Sequence, residues 1–138
     1  MAGIVPDASE ITMLQHVLNH TAPQNQVLRL FTNNVTPDQS YTAASFTEAS
    51  GGGYAAKSIT GTSWTITTDG SNKGSAAYAA QTWTFTGALS GSATIYGWYL
   101  VEVTSGLLLA CERLSNAFQP GTNGDQLIIT PTIKLYSV

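Results

Sequence analysis

From Gln26 onward the chain alternates apolar and polar positions with the two-residue period of strands. β-Branched and aromatic residues stand between Gly, Asn, Asp and Pro punctuation, and the pattern predicts strands near 26–33, 56–59, 63–67, 74–77, 82–86, 93–103, 107–114 and 126–136. That series suits a mostly β fold of two packed antiparallel sheets. Thr104-Ser105-Gly106 is a hairpin turn between the two longest apolar strands, and Asp69-Gly70 with Asn72-Lys73-Gly74 marks a second reversal.

One segment has helical spacing instead. Asp7 stands as a cap with Glu10 three residues on, and Ile11, Leu14, Val17 and Leu18 form a narrow apolar stripe, which predicts an amphipathic helix over about 8–19. Thr21-Ala22-Pro23-Gln24-Asn25 then separates it from the strands. The expected organisation is an arm carrying the helix, residues 1–25, and a β-sandwich, residues 26–138. A helix of about 12 residues is marginal alone in water, so the stripe must pack on something.

The strands differ face by face. Trp64 and Ile66, then Trp83 and Phe85, alternate with threonines, as where one face is core and the other is wet or in an interface. In 93–103, strict alternation puts Ile95, Tyr99 and Val101 on one face and Tyr96, Trp98 and Leu100 on the other, so both faces should be covered. Either the N-terminal helix, from this chain or a neighbour, or the long loop 35–53 must supply the cover. Ile11, Leu14, Val17, Leu18, Tyr96, Trp98 and Leu100 are therefore the expected contacts to neighbouring subunits.

Composition sharpens this picture. Only 9% of the 138 residues are charged, against an average of about 25%. Such a deficit fits a chain that packs against neighbours, because charge is depleted at the centre of stable interfaces. The net charge is −3 and the basic residues Arg29, Lys57, Lys73, Arg113 and Lys134 are scattered singly, which argues against tracking a nucleic-acid backbone. No apolar run reaches the ~18 residues of a membrane span, and no basic segment precedes an apolar stretch at the N-terminus, so synthesis and folding in a cytoplasm are expected, with no membrane partner. Cys111, the single cysteine, lies in an apolar run and reads as a buried, inert thiol.

Candidate chemistry is sparse. His16 and His20 have the spacing for a shared metal, but no later histidine or compelling carboxylate completes a shell. Gly51-Gly52-Gly53 lacks the ending of a phosphate loop and leads toward a strand. Glu102 and Glu112 could face each other across the hairpin as an acid–base pair, although outward carboxylates on any strand pair look the same, and Arg113 points away from Glu112 toward an edge or subunit contact. The aromatics Tyr41, Phe46, Tyr54, Trp64, Tyr78, Trp83, Tyr96, Trp98 and Tyr99 offer stacking surfaces for sugars, but suit core and interface packing equally. The expectation is a binding protein, not an enzyme, with no catalytic residue, cofactor or metal.

Several blocks of the sequence resemble a known group. Leu28 to Pro37 (LRLFTNNVTP), Phe46-Thr47-Glu48-Ala49 and Gly53-Tyr54-Ala55 resemble the "LFTNN-x-TP … FTEA … GYA" pattern of small tailed-phage virion proteins. Ile95-Tyr96-Gly97-Trp98-Tyr99 and Ala110-Cys111-Glu112-Arg113-Leu114 are similar to that group's "IYGYF" and "AERF" blocks, and Gly124-Asp125-Gln126-Leu127 to Leu135 to its closing strand. The resemblance spans about residues 27–137 and implies a jelly-roll-like sandwich on the virion: a cement, or decoration, protein whose partner is the major capsid protein. Members of such groups also serve in tails, so a tail-associated or lectin-like receptor binder is the alternative. In this chain Ser50-Gly51-Gly52 stands where an aromatic or apolar residue is more usual, which predicts a looser loop. Low charge, two-faced strands and an amphipathic arm suit a protein that bridges neighbouring subunits; taken with what the resemblance implies, the expectation is a homotrimer whose arms reach over adjoining subunits, made in the host bacterial cytoplasm.

Overall fold

The computed structural model describes residues 3–6, 9, 13, 18 and 23–135. The expected helix therefore falls largely outside the described residues, as do Ile11, Leu14, Val17, His16 and His20. The chain is mostly β, and its sheets are antiparallel. The strands are β1 (Gln26–Phe31), β2 (Lys57–Ile59), β3 (Thr65–Thr68), β4 (Gly74–Ala77), β5 (Gln81–Thr84), β6 (Ile95–Glu102), β7 (Leu108–Phe118), β8 (Gln126–Ile129) and β9 (Thr132–Lys134).

Each predicted strand is present, with one revision at the end of the chain. The segment expected as one strand is two, broken at Thr130-Pro131. Proline has no N–H to give a ladder. Pro131 is buried, and the chain changes sheet there: β8 pairs with β5, and β9 pairs with β4. Both predicted reversals form. Gly106 takes φ 73° in the β6–β7 turn, and Asn72 takes φ 59° in the β3–β4 turn, where Asp69 accepts hydrogen bonds from the N–H groups of Ser71 and Lys73.

The largest sheet has the order β2-β1-β6-β7. On its inner face Leu28, Leu30, Ile95, Trp98, Leu100 and Ala110 pack with Trp83, Phe85, Leu89, Ile129 and Ile133, which come from β5, β8, β9 and the connection after β5. On the outer face Phe31, Tyr99, Val101, Leu108 and Cys111 form a second cluster under Phe46, with Val35, Tyr41 and Ala43 from the same loop and Ile4 from the N-terminus around it. The loop after β1 thus supplies the cover that the two-faced pattern of β6 demanded.

The residues on each face of β6 differ from strict alternation. Ile95 joins Trp98 and Leu100 inside, whereas Tyr96 joins Tyr99 and Val101 outside. The alternation slips at Gly97, where pairing with β7 jumps from Gly97↔Arg113 to Ile95↔Phe118. A second slip leaves Leu109 without an opposite, between Leu100↔Ala110 and Val101↔Leu108, so Leu108 and Ala110 face opposite ways. Ile66 also departs from expectation: all of β3 is exposed and Ile66 is 69% accessible, while Trp64 is half-buried against Tyr78.

The N-terminus is tied to the same body. Gly3 bridges Ile133 and Ile4 bridges Cys111, with Ile4 donating to the Cys111 carbonyl at 2.6 Å. Ser9 is buried and its hydroxyl donates to the Pro6 carbonyl at 2.8 Å.

Gly97 has no room for a side chain, since a Cβ there would collide with the Glu112 carbonyl and the Phe31 ring. Gly97→Ala should destabilise the fold by about 3 kcal/mol, the upper end of overpacking costs, measured by urea denaturation. A wild-type midpoint would show that both the Phe31 ring and the β7 backbone at Glu112 can give way.

Candidate assembly interface

Four of the sequence blocks that carry the resemblance, 28–37, 46–49, 95–99 and 110–114, lie far apart along the chain and meet on the outer face of the large sheet, whereas Tyr54 and the closing block 124–135 pack toward the inner cluster. Asn33 clamps the covering loop from both sides: its amide donates to the Ser45 carbonyl at 2.9 Å, and its Oδ1 accepts from the Thr47 N–H at 2.8 Å. Asn34 and the Val35 carbonyl accept from the Arg113 guanidinium, each at 2.7 Å, and the same guanidinium lies 5.2 Å from the centre of the Tyr96 ring. Arg113 lies on β7, the edge strand of this sheet, and it fastens the start of the loop. Below these pins Phe46 stacks on Tyr99 with ring centres 4.8 Å apart and meets Phe31 at the same distance.

Glu48 and Tyr54 close the other end. Thr47–Ala49 runs beside the second half of β1, where Thr32 donates to the Thr47 carbonyl and Ala49 to the Leu30 carbonyl. Tyr54 fills the gap next to it, its hydroxyl accepting from the Leu30 N–H at 3.2 Å and donating to Glu48 at 3.0 Å. Burial raises the Tyr54 pKa well above its usual value, so the phenol stays a donor. Glu48 also pairs with Arg29 at 3.4 Å, a half-exposed ion pair of small energetic weight. The turn leading to Tyr54 is tight, contrary to the expected looseness: Gly51, Gly52 and Gly53 all have positive φ, and a Cβ at Gly52 would press on the Gly87 and Ala88 carbonyls. These groups hold backbone and bury rings.

The carboxylates proposed as an acid–base pair are not brought together. Glu102 lies opposite Gln26 and binds the Ser105 hydroxyl at the turn, whereas Glu112 lies opposite Trp98, four residues or roughly 13 Å along β6. Glu112 accepts from the Trp98 indole at 3.1 Å, and burial raises its pKa, with that bond opposing the shift. Cys111 is buried as expected, and loss of hydration pushes its thiol up to about 12.

Among the described residues no Tyr or Trp side chain is exposed. The three indoles all donate internally, Trp64 to Gln26, Trp83 to the Ala55 carbonyl and Trp98 to Glu112. The Tyr78 hydroxyl accepts from the Thr60 N–H. Each of these indoles and hydroxyls is thus engaged in an internal hydrogen bond.

Of the expected contact residues, Trp98 and Leu100 are 1% accessible and belong to the chain's own core. Tyr96 faces the other way, under Arg113, so the three do not form one surface. Leu18 is 70% accessible. The apolar surface that sequence reasoning missed lies on β3, β4 and β9. Two adjoining hollows of about 170 and 180 Å³ share Met13, Ala76 and Ile133, and the second is bordered by Ile66 and Leu135, which stay exposed. The available signal was the run Thr65-Ile66-Thr67-Thr68, strand-forming but with only one large apolar side chain. The chain matches no known family model and no curated protein.

Tyr54→Phe keeps the ring and removes the acceptor for Leu30 and the donor to Glu48. It should cost about 1–2 kcal/mol in chemical denaturation, and an unchanged stability would show that water replaces the hydroxyl. Glu112 gives a pH-dependent prediction. A carboxyl with a raised folded pKa contributes stability below its unfolded pKa and loses it as pH rises through the folded value. Glu112→Gln keeps an oxygen for Trp98 and removes the charge, so it should stabilise the protein near pH 7, by less than ~1 kcal/mol because water still screens the group. The gain should vanish below about pH 4, where the carboxyl is already neutral; thermal melts of both proteins across pH check this.

Proposed function

We propose that this protein is a phage capsid cement protein: a jelly-roll-like sandwich that binds the outer surface of the head, contacts the major capsid protein and stabilises the shell by bridging its subunits. The observation that carries the reading is the meeting of the resembling blocks. Asn33, Asn34, Glu48, Tyr54 and Arg113 come from four separate blocks and form one set of pins around the loop that covers the large sheet. A chance likeness of short words gives no reason for their polar residues to contact one another.

Two physical features support a role in assembly. The charge deficit extends to the accessible surface of β3, whose four residues are exposed and uncharged. A surface of this kind gains by association and offers little to an ionic ligand. The internal use of the indoles and of the Tyr54 and Tyr78 hydroxyls favours the cement reading over a lectin-like receptor binder, which needs accessible aromatic faces. In this proposal the protein is a homotrimer without catalytic activity, made in the bacterial cytoplasm and carried on the virion surface. The stripe of Ile11, Leu14 and Val17 supplies each subunit's reach to its neighbour.

The decisive measurement is the copy number of the protein on purified particles, by quantitative mass spectrometry of separated heads and tails. Many copies, in fixed ratio to the major capsid protein and leaving with the head, are expected. A few copies on the tail would favour receptor binding, and absence from particles would overturn the virion reading. Rebinding to stripped heads tests the arm: replacing Ile11, Leu14 and Val17 together by serine should abolish it while circular dichroism stays that of the wild type. Substitution serves better than removing residues 1–25, because Gly3 and Ile4 pair with the body.

A further inference from the structure

We propose that the edge of β3 that pairs with no other strand among the described residues pairs with the same edge of a second copy, antiparallel, about a twofold axis through Thr67. The inference goes beyond the particle reading and does not depend on it. Just past the strand, Asp69 donates to the Lys73 carbonyl at 2.8 Å. Hydrogen-bonded pairs alternate with non-bonded ones along an antiparallel ladder, so Thr67↔Ser75 and Thr65↔Ala77 are the bonded pairs of β3 with β4. Ile66 and Thr68 therefore turn their N–H and C=O groups away from β4, toward the edge.

That edge lacks the usual guards. The sequence Thr65-Ile66-Thr67-Thr68 has no charge and no proline, every residue is β-branched, and its register with β4 runs without a bulge. Three of the other edges differ from it. Ile4 bridges β7, Gly3 bridges β9, and β2 is three residues long and starts with Lys57. The nearest ion pair, Asp69 with Lys134 at 3.4 Å, is satisfied internally, so neither charge repels a second copy.

The exposed backbone groups specify a strand as occupant, and their spacing makes the strand self-complementary. With Thr67 opposite Thr67, Ile66 of each copy faces Thr68 of the other, and each such pair exchanges both of its outward hydrogen bonds. Ile66 is level with Ala76 and Ile133 across β4 and β9. Pairing therefore joins the apolar rows of the two copies and shelters the hollow beside Ile66. A four-residue edge buries well under the ~1,200 Å² of a standard interface. The contact is weak alone and gains through repetition in a symmetric assembly.

The test is a disulfide trap in the purified full-length protein. Opposed residues of a non-bonded antiparallel pair have Cα atoms about 4.5 Å apart, inside the disulfide range of about 4.4–6.8 Å. Thr67→Cys should give a covalent dimer on oxidation at least roughly tenfold faster than Thr82→Cys, an exposed position on β5, because pairing raises the local thiol concentration. Adding Ile66→Lys to Thr67→Cys should abolish the advantage. Equal rates at the two cysteines, or an advantage that survives Ile66→Lys, would overturn the proposal. Sedimentation velocity of the wild type against Ile66→Lys reads the same contact without a cysteine: the single lysine should halve the mass of the largest concentration-dependent species, leaving a threefold contact in place, and an unchanged distribution would count against β3.

Discussion

Phe46 resting on Tyr99 and Phe31 is the contact on which the rest of the structure depends. A sheet buried on both faces needs two covers, and only one here is made of strands. The other is a loop from Asn33 to Ala49 with a single turn of 3-10 helix at Ala43–Ser45, whose backbone cannot satisfy itself through a ladder. Asn33, Arg113 and the Thr47–Ala49 bridge to β1 supply the missing partners. Apolar burial draws the loop onto the sheet, and the polar pins decide which backbone groups lie where.

The same constraint explains what the distinctive polar residues around this loop do. A loop held by side chains needs specific donors and acceptors at specific places, whereas a ladder needs only a backbone. Asn33 works because one amide both gives and accepts, and Arg113 because its planar fork reaches a carbonyl and an amide oxygen together. Tyr54 acts as a substitute strand at the point where β2 has ended and Thr47–Ala49 leaves a gap.

The strands were legible because punctuation and alternation are local. So were the hairpin at Thr104-Ser105-Gly106, the burial of Cys111 and the need to cover both faces of β6. Faces were not legible, since strict alternation assumes an unbroken register. Gly97 and Leu109 break it for tertiary reasons, one to let the Phe31 ring approach and the other as an unopposed residue in β7. Ile95 and Tyr96 therefore exchange faces, while Trp98 and Leu100, of which a contact surface was expected, keep a common face that the core covers. Ile66 failed in the reverse direction: its period was right for a strand, but whether anything lies over that face is decided by elements remote in sequence. The resembling blocks were visible as words, and that they touch is visible only in three dimensions.

Pro131 has a mechanical consequence. Because the chain leaves β8 and enters β9 across only Thr130 and the buried Pro131, the sheet containing β5 and the sheet containing β3 and β4 are joined by a short covalent link. A pull applied to either of these small sheets passes to the other along that backbone, so the load does not fall first on side-chain packing.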